Sequence, residues 1–382
     1  MRILNVLDVM NPVFGGGGTE RSYQMSRYLA LAGENVDILT TNWNLDVEYA
    51  SRLKGINCYP VDAWYCRYLF PFGVKKWLMR NITNYDLVHL SKNWSLLSQI
   101  AGGVAANYNI PYVFSSMGFV AVHNRSRILK KFYRKYLTIP LVKKADACIA
   151  VTKEETVDLI DAGASPEKVH LIPNGIIPED FLHKDNNHFR RCYKLDNRKI
   201  ILFIGQMNPL KGVHLIIDAF EKCRPILDDW LLLLVGTKTG YRNEMERKVA
   251  RLNLQKNVLF LDPLFGRQKS EAYHAAEFLV VPSIKDAMTI VAPEAACCAK
   301  PVLLTKTSGF GELARCGGAI EVEPSINGLS FGFDFLTSSN CDRVGMGKKG
   351  YNYVINNFQW KQVALKYKEL FQAVLTSAKT CN

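Results

Sequence analysis

Short continuous apolar runs recur along the first half of the chain, each closed by a polar or glycine-bearing connection. "ILNVLDV", "NVDILTT", "DLVHLS", "YVFSSMG", "ACIAVT" and "VHLIPNG" are of this kind. An apolar run too short for a helix and bounded by turn residues predicts a strand buried on both faces of a parallel sheet. Between the first two runs, Thr19 predicts a helix cap, Met25, Tyr28, Leu29 and Ala32 fall on one helical face, and Gly33 ends the helix. After the polar stretch "HKDNNHFRRCYKLDNRK" the pattern restarts with "IILFIGQ", "LLLLVG", "NVLFLD", "FLVVPS" and "PVLLT", separated by helical segments such as "GVHLIIDAFEKC". Two such series predict an α/β protein with two doubly wound parallel-sheet domains, divided near 180–198, with a ligand cleft between them. The last stretch, "YNYVINNFQWKQVALKYKELFQAVL", predicts two amphipathic helices with no strand after them.

Composition narrows the class. A length of 382 residues, 48% hydrophobic and 22% charged, suits a soluble protein with two ordinary cores, and no apolar run reaches the length of a membrane span. The opening "MRILNVLDVM" carries Asp8 and reads as a buried strand, not as a signal peptide. The ten cysteines form no CxxC or Cys/His metal spacing, which predicts reduced thiols in a cytoplasmic protein. The net charge of +13 is unevenly placed, with eight Lys/Arg and no acid from Asn124 to Ala145. There a predicted helix sets Lys130, Lys131, Arg134 and Lys135 on one side, with Leu129, Phe132, Tyr133 and Tyr136 largely opposite. Such a helix, over 125–144, suits an anionic membrane surface or the diphosphate of a lipid-linked acceptor, and equally an ordinary surface helix. No nucleic-acid-binding module is recognisable.

Three stretches carry candidate chemistry. In "FGGGGTERS" the glycines let backbone approach a ligand, but this is neither the GxGxxG fingerprint nor a P-loop, and a plain tight turn explains it as well. In "FIGQMNPLKGVHLIIDAF" a strand ends at Gly205 and Lys211 enters just before a helix, where it can meet a diphosphate and stabilise a leaving phosphate. In "VPSIKDAMTIVAPEAACCAKPV" the segmentation puts Asp286 on a loop and Glu294 in the first turn of the next helix, both at the carboxyl end of a strand. The histidines are dispersed and no metal constellation accompanies these residues; His89, inside "DLVHLS", reads as a core or rim histidine rather than a base.

In their order, these pieces resemble the retaining glycosyltransferase family 4. Gly17, Gly18 and Glu20 match its Gly-Gly-x-Glu turn, "HLIPNGI" its Pro-Asn-Gly stretch, "GQMNPLKG" its Gly-Arg-(x)4-Lys-Gly element, and "PSIKDAMTIVAPEA" its Glu-(x)7-Glu element. The resemblance implies the GT-B architecture of two Rossmann-like domains, 1–182 and 183–358, with the closing helix, 359–382, crossing back to the first. It implies a retaining, metal-independent transfer from a nucleotide-diphosphate sugar, UDP- or GDP-linked, to a hydroxyl of a glycan or lipid-linked acceptor. Surface polysaccharide or lipopolysaccharide assembly on the inner face of a membrane is the expected setting. Lys211 and Asp286 would be catalytic. Gly17, Gly18, Gly205, Gln206, Gly236, Leu264, Met288, Thr289, Ile290 and Glu294 would join them in holding the donor, with Glu294 on the ribose hydroxyls. Helix-start amides of Met288, Thr289 and Ile290 would receive the diphosphate. Glu20, Met117, Gly118, Arg125, Arg127 and Asn174 would serve the acceptor. No cofactor is implied.

The chain departs from the family pattern at Asp286, where Glu is usual, at Gln206, where Arg is usual, and at Met117, where many members carry His or Arg. A catalytically silent nucleotide-sugar-binding protein of the same fold therefore stands as the alternative. A dinucleotide-dependent oxidoreductase is disfavoured by the missing GxGxxG.

Overall fold

The computed structural model describes residues 1–65, 69–117 and 127–380. They form two compact units: Met1–Gly175 with Trp360–Asn382, and Ile176–Gln359. No helix among the described residues is long and apolar enough to cross a membrane.

The first unit is built on strands β1 (Arg2–Val6), β2 (Asn35–Thr41), β3 (Asn57–Val61), β6 (Leu87–Ser91), β7 (Tyr112–Ser115), β8 (Ala147–Ala150) and β9 (Val169–Leu171), in the order β3-β2-β1-β6-β7-β8-β9. Every pairing is parallel, with Ile3 opposite Val36 on one side and Leu87 on the other. β4 (Ala63–Tyr65) and β5 (Leu69–Pro71) form a separate antiparallel hairpin. Alternation sends Leu4 and Val6 into a core with Val74, Leu78, Leu97 and Leu141, so the helices Val74–Asn81, Leu96–Asn107 and Ile139–Lys144 cover one face. Helix Trp360–Thr380 packs on helix Pro12–Leu31 within this unit. There Lys368 Nζ meets Glu34 Oε1 at 2.7 Å. Burial alone would raise Glu34, but hydrogen bonds from Lys368 and the terminal ammonium overcome it and hold the carboxyl below its usual range.

Two local expectations are corrected here. The helix cap is Asn11, whose Oδ1 accepts from Val13 and Phe14; the helix bends at Gly16 (φ 60°), and the Thr19 hydroxyl donates to Val9 O at 2.7 Å. A side chain at Gly15 would lie 1.8 Å from Thr19 Oγ1, so the glycine run is a packed bend. The basic helix is also not one regular helix. Arg127–Tyr133 passes into a π turn, Arg134–Thr138, before Ile139–Lys144. Pro140 has no N–H to donate, and the wider turn accommodates that loss. Its side chains are re-aimed: Tyr133 is buried, while Leu129, Phe132 and Tyr136 are exposed.

The second unit carries β10 (Lys199–Ile204), β11 (Trp230–Val235), β12 (Val258–Leu261), β13 (Phe278–Val281), β14 (Val302–Thr305) and β15 (Ala319–Val322), all parallel in the order β12-β11-β10-β13-β14-β15. β10 and β11 are almost wholly apolar and buried, as strands covered on both faces must be. The strand order reverses between β10 and β13. Crevices at such reversals, beyond the carboxyl ends of the strands, are where open α/β sheets bind ligands.

Candidate functional site

Lys211 and Asp286 lie on the two connections that leave this reversal. After β10, Asn208 Oδ1 accepts the Lys211 N–H at 3.2 Å and shapes the single turn Pro209–Lys211. Gly212 follows at φ 70°, and a Cβ there would stand 2.1 Å from Pro282 O, so only glycine lets the two connections touch. Leu210 O accepts the N–H of Ile284 at 2.8 Å, fixing the second loop against the first. Across this contact Lys211 Nζ donates to Asp286 Oδ2. Ala287 N–H gives 3.1 Å to the other carboxylate oxygen, and Asp286 N–H is held by Thr307 O at 2.9 Å. The pair is only partly exposed, 27% and 15% for the two side chains, so each charge is balanced by the other more than by water.

Glu294 stands in the first turn of helix Val291–Cys297, as the segmentation predicts. Its two oxygens are taken separately: Lys269 Nζ donates to Oε1 and the Tyr273 hydroxyl to Oε2, both at 2.6 Å. Lys269 and Tyr273 are one turn apart on helix Gly266–Ala275. Burial first, and then the Glu294 carboxylate, push the Tyr273 phenol far up, so it stays a donor. Sequence reasoning missed both residues. The only available signal was that a buried carboxylate needs partners, which does not say which ones.

The other residues of the second unit expected to hold the donor are placed as follows. Gly205 follows β10 and gives its N–H to Val235 O at 3.0 Å, while Gln206 is exposed. Gly236 closes β11, its carbonyl accepting Arg242 Nη1 at 2.9 Å, and Leu264 is buried. Met288 and Thr289 are buried and Ile290 precedes the helix. The Thr289 N–H is already donated to Ser308 O at 3.1 Å, so it is not open to a phosphate, contrary to the expectation of a free amide. Asp286 and Glu294 do not pair with each other. Among the described residues no three His, Cys, Asp or Glu converge as a metal site.

Gly17, Gly18, Glu20, Met117 and Asn174 belong to the first unit. Gly17 and Gly18 follow the bend, and a Cβ on Gly18 would be 3.8 Å from Met117 Sδ. Met117 is left-handed (φ 49°) just beyond β7, with Ser22 Oγ 3.7 Å from its sulfur. Glu20 accepts from Gln24 at 2.7 Å and from the Tyr49 hydroxyl at 2.9 Å; burial and that carboxylate push the phenol well up. Asn174 Oδ1 accepts Arg21 Nη1 at 2.7 Å. Gly118 and Arg125 lie outside the described residues, and Arg127 opens the helix that precedes the π turn. Lys92, left-handed at φ 88° beyond β6, meets Asp8 at 3.2 Å beyond β1, a pairing with no sequence signal.

His89 is fully buried with both ring nitrogens engaged, to Asn5 Oδ1 at 3.0 Å and Ser115 Oγ at 2.8 Å. Burial, reinforced by the Arg21 charge, pushes it down to about 3. It is a neutral core histidine, as its setting in β6 predicts.

Two family descriptions together span most of the chain. "Glycosyltransferase Family 4" matches residues 15–180, and "Glycosyl transferases group 1" matches residues 185–353. The D-inositol 3-phosphate glycosyltransferase of Geodermatophilus obscurus is 25% identical over 337 residues, 79% of this chain and 73% of that protein. Among solved structures, Anabaena HepE in complex with UDP and glucose superposes with a TM-score of 0.82 at 18% identity, covering 98% of this chain and 100% of that one. WaaG, a glycosyltransferase involved in lipopolysaccharide biosynthesis, gives 0.75 at 17%, covering 97% and 99%. At these identities the structural likeness carries the fold.

Proposed function

The chain belongs to glycosyltransferase family 4, has the GT-B fold and is a glycosyltransferase; from that premise we propose that it transfers a sugar from a nucleotide-diphosphate donor held by the second unit, with retention of anomeric configuration and without a metal ion. The observation that carries this reading is the placement of Lys211, Asp286 and Glu294 beyond the carboxyl ends of β10 and β13. Glu294 accepts the ribose hydroxyls, Asp286 the sugar hydroxyls, and Lys211 faces the diphosphate. The acceptor hydroxyl attacks the anomeric carbon as the bond to the phosphate oxygen breaks. The bonding pair goes to that oxygen, whose charge Lys211 meets, and the same oxygen takes the acceptor's proton on the face the donor leaves. The Lys211–Asp286 pair gives the cation a fixed address before any ligand arrives.

A UDP-sugar is the favoured donor, because HepE has been solved with UDP-glucose. WaaG's role favours a glycan or lipid-linked acceptor in lipopolysaccharide-type assembly, served by Glu20, Met117 and Asn174 of the first unit.

Calorimetry with UDP, GDP, ADP and dTDP in EDTA, on the wild type and Glu294→Ala, tests the donor site. One nucleotide preferred by the wild type and lost in the variant is expected. No binding of any nucleotide would overturn the assignment of Lys211 and Glu294, and binding without turnover on any acceptor would mark a silent homologue. Retention is read from the anomeric proton coupling of the first-formed product.

A further inference from the structure

The β4–β5 hairpin turns the wrong side outward for a hairpin in water. Trp64 stands directly opposite Phe70, and Ala63 opposite Pro71. Alternation places Ala63, Leu69 and Pro71, all half-buried, on one face, and β5 packs on helix Leu96–Asn107. The outward positions are aromatic: Trp64 is 63% exposed, Phe70 41% and Phe72 57%. A hairpin with one wet face normally carries polar residues there.

Helix Val74–Asn81 follows immediately. Val74 and Leu78 are buried in the core, while Lys75, Lys76, Met79 and Arg80 are exposed. None of these three cations has an ion pair among the described residues, and the sequence holds no acid from 63 to 85. Together with Met79, Ile100 and Tyr108 they line a concavity of about 770 Å³. Pro71 and Gly73, which flank the exposed Phe72 and follow Phe70, line the same concavity as the cations, and exposed aromatics next to such cations on a water-facing surface mark an interaction site.

We propose that this face docks on the anionic phospholipid surface of a bilayer, with Trp64, Phe70 and Phe72 entering the headgroup–acyl boundary and Lys75, Lys76 and Arg80 holding lipid phosphates. Tryptophan and other aromatic rings settle at that depth, and cations beside them gain from a negative leaflet. A second copy of the chain fits poorly. A two-fold interface brings one patch against its own copy and would oppose three unpaired cations to three more. The inference shares no residue with the nucleotide site and does not depend on it.

The test is sedimentation of the full chain with vesicles of phosphatidylcholine alone and with about one third phosphatidylglycerol, at low and high salt. Binding only to the anionic vesicles, weakened by salt, is expected. Lys75→Gln/Lys76→Gln/Arg80→Gln should weaken it about a hundredfold, roughly fivefold for each cation removed. Trp64→Ala/Phe72→Ala should weaken it at unchanged melting temperature and unchanged nucleotide affinity. The composition and salt dependence of the wild type serves as the test should a variant misfold. Failure of the wild type to bind anionic vesicles would overturn the proposal. So would wild-type binding in both of these variants with loss only in Lys131→Gln/Lys135→Gln, tighter binding of single-stranded DNA than of vesicles, or a dimer that Trp64→Ala/Phe72→Ala dissolves.

Discussion

Arg21 Nε donates to the Tyr367 hydroxyl oxygen at 2.9 Å, joining the first long helix to the last through a buried cation that has no carboxylate within ion-pair reach among the described residues. Its other donors go to neutral oxygens, Asn174 Oδ1 at 2.7 Å and Ile172 O at 2.8 Å. A buried charge met only by dipoles depends on every one of them. Tyr367→Phe is therefore expected to destabilise the first unit by about 2 kcal/mol, the value of a hydrogen bond to a charged group. Urea unfolding at neutral pH measures it, and a loss below about 0.5 kcal/mol would show that another partner or water replaces the phenol.

On the proposed mechanism, Lys211→Ala removes the cation assigned to the leaving phosphate. The expected fall in kcat is about 10²- to 10³-fold, with KM for the donor moving far less. A KM effect with kcat intact would make Lys211 a binding group only.

Glu294 is expected to act in the opposite sense, on affinity. Glu294→Ala should weaken nucleotide binding at least tenfold, because on the proposed reading the ribose hydroxyls lose their acceptor. Tyr273→Phe keeps the carboxylate and its bond from Lys269, so it should cost about 1–2 kcal/mol of stability and less than tenfold in nucleotide affinity. Calorimetry on both variants, beside a urea melt, separates the two roles.

His89 predicts a pH dependence of stability. In the unfolded chain it takes up a proton below about 6.5, whereas the folded protein holds it neutral until about 3. Between those values the unfolded state binds more protons, so stability falls as pH falls. From pH 7.5 to pH 5 this group alone should remove about 2 kcal/mol. His89→Gln should flatten the urea-derived profile over that window by a comparable amount, and an unchanged slope would refute the assignment.

The strands legible in the sequence are the ones with a short apolar run, including the half-buried edge strands β9 and β12. "LLLLVG" and "IILFIGQ" announce β11 and β10 because each apolar run is too short for a helix and is closed by a glycine. β3 and β15 went unseen. Both are edge strands with exposed polar positions, and β3 carries Pro60. The β4–β5 hairpin was equally hidden, because its outward residues invert the usual alternation. For the site, the positions of Lys211, Asp286 and Glu294 relative to strand ends were readable, since segmentation alone supplies them. Their partners were not. Lys211 and Asp286 are 75 residues apart, and Lys269 and Glu294 are 25 apart, so only the folded chain brings them together. The Thr289 amide misled for the same reason, since Ser308, which claims it, lies in the next connection.

The clamp on Glu294 also gives the carboxylate a direction. Each of its oxygens has one acceptor position filled, by Lys269 on one and Tyr273 on the other, and each keeps room for one more hydrogen. A vicinal diol brings two hydrogens side by side and matches that vacancy, whereas a phosphate brings none and is turned away. On the proposed reading, an elongated ligand with a diol at one end and phosphates at the other would thereby be sorted end from end, before any surface reads its base.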